Sequence, residues 1–202
     1  MKNLVFFCIS LMVSLTVFCQ NDFIITINNE SHQISLDETN EFEINGEKVN
    51  ILVKEKDTLM YHDSFYDFKY IKKHSISKTV IEEGIEQIMM MTASGSGILV
   101  QKYDSFDPTM LQEMMLNEVT KESVSYGYSI ERQDYDKTLI SGEKIKVLKA
   151  ALEYKGELET YEISAFGRKD EGILIMTMNM NDAMDMDGAD MIKLMWDTLR
   201  IK

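Results

Sequence analysis

The chain has 202 residues, with 34 acidic residues against 21 lysines and arginines, so its formal net charge is −13. The acidic residues are spread along the chain, which argues against binding to nucleic acid or to anionic lipid, since both require clustered Lys and Arg. The length allows one domain with a sizeable core, or a domain with a small appendage.

The first residues predict an export signal. Lys2 supplies one positive charge, and an almost unbroken apolar run follows from Leu4 to Phe18. This is the order of a charged segment and an apolar segment in a secretory signal peptide. The apolar run is shorter than the roughly 20 residues that a membrane span needs. We therefore expect residues 1–19 to be removed and the protein to be periplasmic or secreted.

Cys19 leaves an alternative open at the cleavage site. A lipoprotein signal has small residues before the lipidated cysteine, whereas the bulky Phe18 precedes Cys19, so ordinary cleavage is favoured over a lipid anchor. Cys8 and Cys19 are the two cysteines of the chain. Both lie in the predicted signal, so we expect the mature protein to have no disulfide and to be held together by its core alone.

Residues 20–60 predict a region rich in β-hairpins. Phe23–Ile27 and His32–Leu36 are β-rich runs on either side of a polar turn. Asn45-Gly46 is a strong signal for a second hairpin, because both residues tolerate the positive φ of a two-residue turn.

Residues 61–202 predict an α+β domain. Asp107-Pro108 marks a helix start, with Asp as N-cap and Pro at the first helical position, and the helix is expected to run to about residue 123. A second helix is expected at about 187–199. The expected strands, which make an antiparallel sheet covered by these two main helices, are 65–70, 76–81, 85–92, 97–103, 128–136, 143–155, 158–168 and 172–180.

Three segments carry a resemblance to a known family. Phe65–Tyr70 opens the domain, Leu139–Glu143 precedes a long strand, and Met195–Ile201 closes the chain. In the order of its elements, the region of about 60–202 resembles the Mog1/PsbP-like superfamily. The resemblance implies a non-catalytic protein that binds or helps to assemble a larger complex, and it implies no role for any particular residue.

No residue pattern indicates catalysis or a cofactor. His62-Asp63-Ser64 contains the residue types of a catalytic triad, but neighbours on an extended segment point to opposite faces and cannot form the relay. Zinc, Walker and dinucleotide-binding motifs are absent from the sequence. The acidic run from Asp182 to Asp190 does not fit the EF-hand register, and an acid-rich helix start explains it better.

Methionine is the unusual feature, with sixteen in the chain. Thioethers are ligands for Cu(I), so a weak alternative is a metal site. Its candidate ligands are Met176, Met178, Met180, Met184 and Met186. Leu174, Met176, Met178 and Met180 would nevertheless share one face of a strand, which favours packing in the core.

The sequence as a whole favours an exported, non-catalytic binding or assembly module of the bacterial envelope or secreted fraction, with a protein partner. Two alternatives remain open, a Met-based Cu(I)-binding protein and a hydrolase with an unrecognised site. A pocket with convergent carboxylates or a buried histidine would favour the hydrolase.

Overall fold

The computed structural model describes residues 23–180 and 185–202, so the predicted signal at 1–19 lies outside the described residues. The chain divides into two compact units, the first ending at Glu55 and the second beginning at Lys56. No helix in the described ranges is long and apolar enough to cross a membrane.

The first unit consists of two antiparallel hairpins. Their strands are β1 (Phe23–Ile27), β2 (Glu30–Ile34), β3 (Thr39–Ile44) and β4 (Glu47–Leu52). Asn45 and Gly46 have φ values of 54° and 83°. A two-residue turn with positive φ at both positions matches the twist of the strands it joins. The predicted hairpin at Asn45-Gly46 is therefore confirmed.

The described part of the second unit has eleven strands, two α-helices and a short 3₁₀ helix, Pro108–Leu111. The helices are α1 (Gln112–Tyr126) and α2 (Met186–Thr198). The strands are β5 (Thr58–His62), β6 (Tyr66–Ile71), β7 (Ser77–Glu82), β8 (Ile85–Met91), β9 (Gly97–Tyr103), β10 (Ser129–Arg132), β11 (Tyr135–Thr138), β12 (Lys144–Tyr154), β13 (Glu157–Arg168), β14 (Glu171–Met180) and β15 (Arg200–Ile201).

Eight of these strands form one antiparallel sheet. Its order is β10-β12-β13-β14-β9-β8-β7, and β11 also pairs with β12. A smaller antiparallel sheet has the order β15-β6-β5. The expected single strand at 128–136 is wrong, because Gln133 and Asp134 interrupt the strand pairing along the edge of β12 and divide the segment into β10 and β11. Both residues still bond to Lys149 of β12, Gln133 through its backbone N–H and Asp134 through its carboxylate.

The predicted start of the first helix is confirmed. The Asp107 carboxylate accepts a hydrogen bond from the backbone N–H of Thr109 at 2.9 Å, and Pro108 occupies the first helical position. The first turn is a 3₁₀ turn, and α1 continues beyond the expected residue 123 to Tyr126. It ends at Gly127, whose φ of 119° few side chains tolerate.

Each face of the large sheet has its own core, because successive residues of a strand point to opposite faces. On one face, Ile173 and Ile175 of β14 join a cluster with Met191, Met195 and Trp196 of α2. On the other face, a cluster contains Leu116 of α1 together with Leu148, Leu152, Ile163 and Met176. The central strand β14 is therefore apolar on both sides.

The predicted fold class, an α+β domain built on two main helices, is wrong. The described chain is β-rich, with fifteen strands in four antiparallel sheets and α-helices of 15 and 13 residues. Two features explain the error. The strand β5 is mostly exposed and shows no clear apolar alternation, and α1 buries only Leu116 and Thr120, so it covers less of the sheet than its length suggests.

We predict that Leu148→Ala lowers the free energy of unfolding by about 2–5 kcal/mol, because a large side chain in a packed core leaves a cavity. Leu148 is 1% exposed. Leu158→Ala is the matched control, since Leu158 lies on the neighbouring strand and is 38% exposed. Denaturant unfolding measures both. Equal losses of unfolding free energy for the two variants would contradict the placement of Leu148 in the core.

Candidate functional site

The face of the large sheet that α2 covers changes character along the strands. Val147 and Ile175 lie in one cross-strand row and are buried. Two residues further along, Lys149, Glu162 and Thr177 lie side by side in a polar row. The apolar floor of the core therefore gives way to a polar floor on the same face.

A cleft of about 270 Å³ lies between this polar row and α2. The sheet side contributes the polar row, together with Tyr135, Lys137, Thr160 and Asn179. The helix side contributes Ala189, Ile192, Lys193, Trp196 and Asp197. The cleft thus has polar groups on its floor and an apolar wall formed by Ile192 and Trp196.

Glu162 connects the two sides of the cleft. Its Oε2 accepts hydrogen bonds from the Trp196 indole at 2.9 Å and from the Thr177 hydroxyl at 3.3 Å. Its Oε1 accepts one from the Tyr135 hydroxyl at 3.0 Å. Burial and the nearby carboxylate of Glu162 both raise the pKa of Tyr135, so this hydroxyl remains a donor. Three neutral donors from three elements therefore fix one carboxylate.

Other cleft residues retain unused hydrogen-bond donors. The Oδ1 atom of Asn179 accepts a hydrogen bond from the Ser96 hydroxyl at 3.2 Å, which fixes the amide and leaves its Nδ2 atom as a donor. Lys137 and Lys149 are both half-buried. In the described part of the chain, neither ammonium group forms an ion pair with a carboxylate. Lys193, by contrast, is paired with Asp197 on the same helix.

A second polar cluster holds the start of α2. Asp185 is buried and caps the helix by accepting a hydrogen bond from the backbone N–H of Gly188 at 2.9 Å. It also accepts hydrogen bonds from the hydroxyls of Thr92 and Ser94, in the turn between β8 and β9. Burial alone would raise the pKa of Asp185, but the hydrogen bonds from Ser94, Ser96, Gly188 and Thr92 lower it to about 2.

The turn at residues 92–96 joins β8 and β9, which the sequence predicts as strands at 85–92 and 97–103. Its role as a clamp on Asp185 could not be predicted, because the two segments are about ninety residues apart in the sequence. The helix start at Asp185 agrees with the acid-rich N-terminus that the sequence predicts.

The methionines proposed as weak metal ligands do not lie together in the structure. Met176 lies in the core beneath α1, and Met178 and Met180 pack against the same cluster. Met186 begins α2, which packs on the other face of the sheet, and it is 66% exposed. Met184 lies outside the described residues. Within residues 23–180 and 185–202, no group of three or more His, Cys, Asp or Glu side chains could hold a metal ion.

The residues His62, Asp63 and Ser64 do not form a relay. The His62 ring bonds to Asp67 at 3.0 Å, whereas the Ser64 hydroxyl donates to Asp63 at 3.2 Å. His74 is buried, but its ring lies 3.5 Å from Asp187 and it does not line the cleft. None of the described residues that line the cleft is therefore a histidine.

The fold and the cleft together define a β-rich protein with an open polar cleft between a sheet and a helix. No protein-family model matches the chain, and a search of curated proteins finds no match. The resemblance to the Mog1/PsbP-like superfamily therefore stays a prediction.

We predict that the stability of the protein falls between about pH 4 and pH 2 partly through Asp185. The folded pKa of about 2 lies below the unfolded value of about 3.9, so this contribution is complete above pH 4 and is lost as the pH falls through 2. Asp185→Asn should lower the free energy of unfolding at pH 7 by about 2 kcal/mol and flatten its dependence on pH in that interval.

Asp190→Asn is the control for this experiment, because Asp190 is an exposed residue of the same helix. Urea unfolding at a series of pH values measures both variants. If Asp185→Asn kept the full pH dependence of the unmodified protein, the clamp would not be the source of the acid sensitivity.

We also predict that Glu162→Ala costs about 1–3 kcal/mol of stability and shifts the indole N–H resonance of Trp196, because a buried donor loses its acceptor. Glu162→Gln should cost less. Its amide oxygen can replace Oε2, and the Tyr135 hydroxyl can rotate to accept from the amide nitrogen. Thermal unfolding and a ¹H–¹⁵N spectrum compare the two. Equal losses would show that the charge of Glu162, and not its acceptors, matters.

Proposed function

We propose that the protein is an exported, non-catalytic binding or assembly module of the bacterial envelope or secreted fraction. It engages a protein partner through the cleft between the polar row and α2. Export is supported by the sequence of residues 1–19, which predicts a signal peptide. The observation that carries the binding site is the carboxylate of Glu162, which accepts hydrogen bonds from the Trp196 indole and the Tyr135 hydroxyl, two groups that line an open cleft.

The fixed aromatic residues support binding. Trp and Tyr are enriched among the residues that dominate protein interfaces, and rigid side chains lose little conformational entropy when a partner binds. Both rings line the cleft, and Tyr135, which is 36% exposed, is the more accessible of the two, since Trp196 is 5% exposed. The site is thus held in shape before any partner arrives.

The lining residues also favour binding over catalysis. The lining residues that the structure describes include no His, Cys or Ser, so they do not supply the usual pairs of nucleophile and base. Its two carboxylates are already engaged, Glu162 by three neutral donors and Asp197 by Lys193. The two carboxylates therefore hold the shape of the cleft, which is the role expected of them in a binding site.

Site-specific photo-crosslinking in the native host tests the proposal. A photoreactive residue replaces Lys193, which is exposed and lines the cleft. The matched control replaces Lys121, an exposed lysine of α1, which packs on the opposite face of the sheet. We expect a discrete crosslinked protein at position 193, identified by mass spectrometry, and none at position 121.

Ala189→Arg provides the blocking variant, because Ala189 is a small residue on the helix wall of the cleft. A long charged side chain there should abolish the adduct at position 193. An adduct of equal yield at both positions, or one that Ala189→Arg leaves unchanged, would contradict the cleft as the binding site.

A further inference from the structure

We infer that the group recognised in the cleft is a carboxylate. This inference rests on the proposed function, since it concerns the ligand of the same site. The inference starts from the hydrogen bonds in the cleft. Both carboxylate oxygens of Glu162 already accept hydrogen bonds. The ammonium groups of Lys137 and Lys149 and the Nδ2 atom of Asn179, by contrast, have no partner among the described residues. A site with unused donors requires a ligand with acceptors.

Lys137 and Lys149 combine partial burial with the lack of an ion pair among the described residues, whereas other lysines that lack one there, such as Lys144, are exposed. Lys146, on the same strand as Lys149, lies 3.9 Å from Asp134, and Lys102 lies 3.5 Å from Asp104. Lys149 lies directly opposite Glu162 across two paired strands, yet the two side chains form no ion pair. A half-buried ammonium without a counterion is costly, and a bound anion supplies the missing charge.

The charge of the cleft favours one negative charge on the ligand. Among the described residues, three lysines and two carboxylates line it, which gives this part of the lining one net positive charge. A phosphate carries closer to two negative charges and is usually held by arginine or by a free helix N-terminus. The described lining of the cleft contains no arginine, and Asp185 already caps the N-terminus of α2. A carboxylate matches the site better.

The helix side accommodates the rest of the ligand. Ile192 and the Trp196 ring form an apolar wall beside the donors. A carboxylate attached to a short carbon skeleton would place its oxygens towards Lys137 and Lys149 and its apolar part against this wall. Two sources carry this chemistry, the terminal or side-chain carboxylate of a protein partner and a free organic acid.

Titration of the purified mature protein tests the inference. The probes are N-acetylalanine, which imitates a chain terminus, and butyrate, which is a free acid. Their neutral amides and inorganic phosphate are the comparisons. Trp196 is the single tryptophan of the chain, so its indole N–H resonance reports on the cleft alone. We expect saturable shifts with the carboxylates, none with the amides, and weaker binding at high salt.

Lys149→Gln and Lys137→Gln should each raise the Kd by about tenfold or more, because each removes a hydrogen bond to a charged group. Lys144→Gln is the matched control, since Lys144 lies on the same strand, is exposed and does not line the cleft. It should leave the Kd unchanged. Tighter binding of N-acetylalanine than of butyrate supports a chain terminus as the source, and the reverse order supports a free acid.

Three outcomes would overturn the inference: no saturable shift with either carboxylate, equal binding of the amides, or tighter binding of phosphate. Equal effects of Lys149→Gln and Lys144→Gln would do the same. The crosslinking experiment separates this result from the proposed function. An adduct at position 193 without carboxylate binding would refute only the carboxylate, and carboxylate binding without an adduct would refute only the protein partner.

Discussion

The arrangement of the sheet and α2 in the second unit depends on one half-buried acceptor, the carboxylate of Glu162. It lies where the apolar floor of the sheet ends, and without it the Trp196 indole would lose its acceptor in a buried position. Because its donors come from β11, β14 and α2, a single side chain fixes the spacing between the sheet and the helix. The cleft exists because the helix is held at the border of the polar row.

A second constraint acts at the other end of the helix. The Asp185 clamp attaches the start of α2 to the turn between β8 and β9 through charge-assisted hydrogen bonds. Ser96 extends this connection to β14, since its hydroxyl contacts both Asn179 and the backbone N–H of Met180. Asn179 also lines the cleft. The orientation of its amide is therefore set by the same turn that anchors the helix.

The sequence predicts what depends on neighbours in the chain. Asn45-Gly46 and Asp107-Pro108 are local signals, and both were found where expected. The fold class depends on how much of the sheet the helices cover, and local sequence patterns do not show this. The cleft could not be predicted from the sequence for the same reason, because Lys149, Glu162 and Thr177 become neighbours only through the register of the paired strands. The sequence feature that pointed to the cleft was a single tryptophan together with polar residues on separate strands. It could not be interpreted until the fold showed that these residues lie together.

The order of strands in the large sheet has a consequence for how the chain reaches its native state. The central strand β14, which is apolar on both faces, comes late in the sequence. It nevertheless pairs with β9, and the paired residues are between 69 and 81 positions apart. Until it arrives, one side of β9 and one side of β13 present unpaired backbone groups beside apolar side chains, a state in which strands associate with the wrong neighbours. Assembly of the sheet is thus a late, long-range event, and the interval before it is when this protein is most exposed to aggregation.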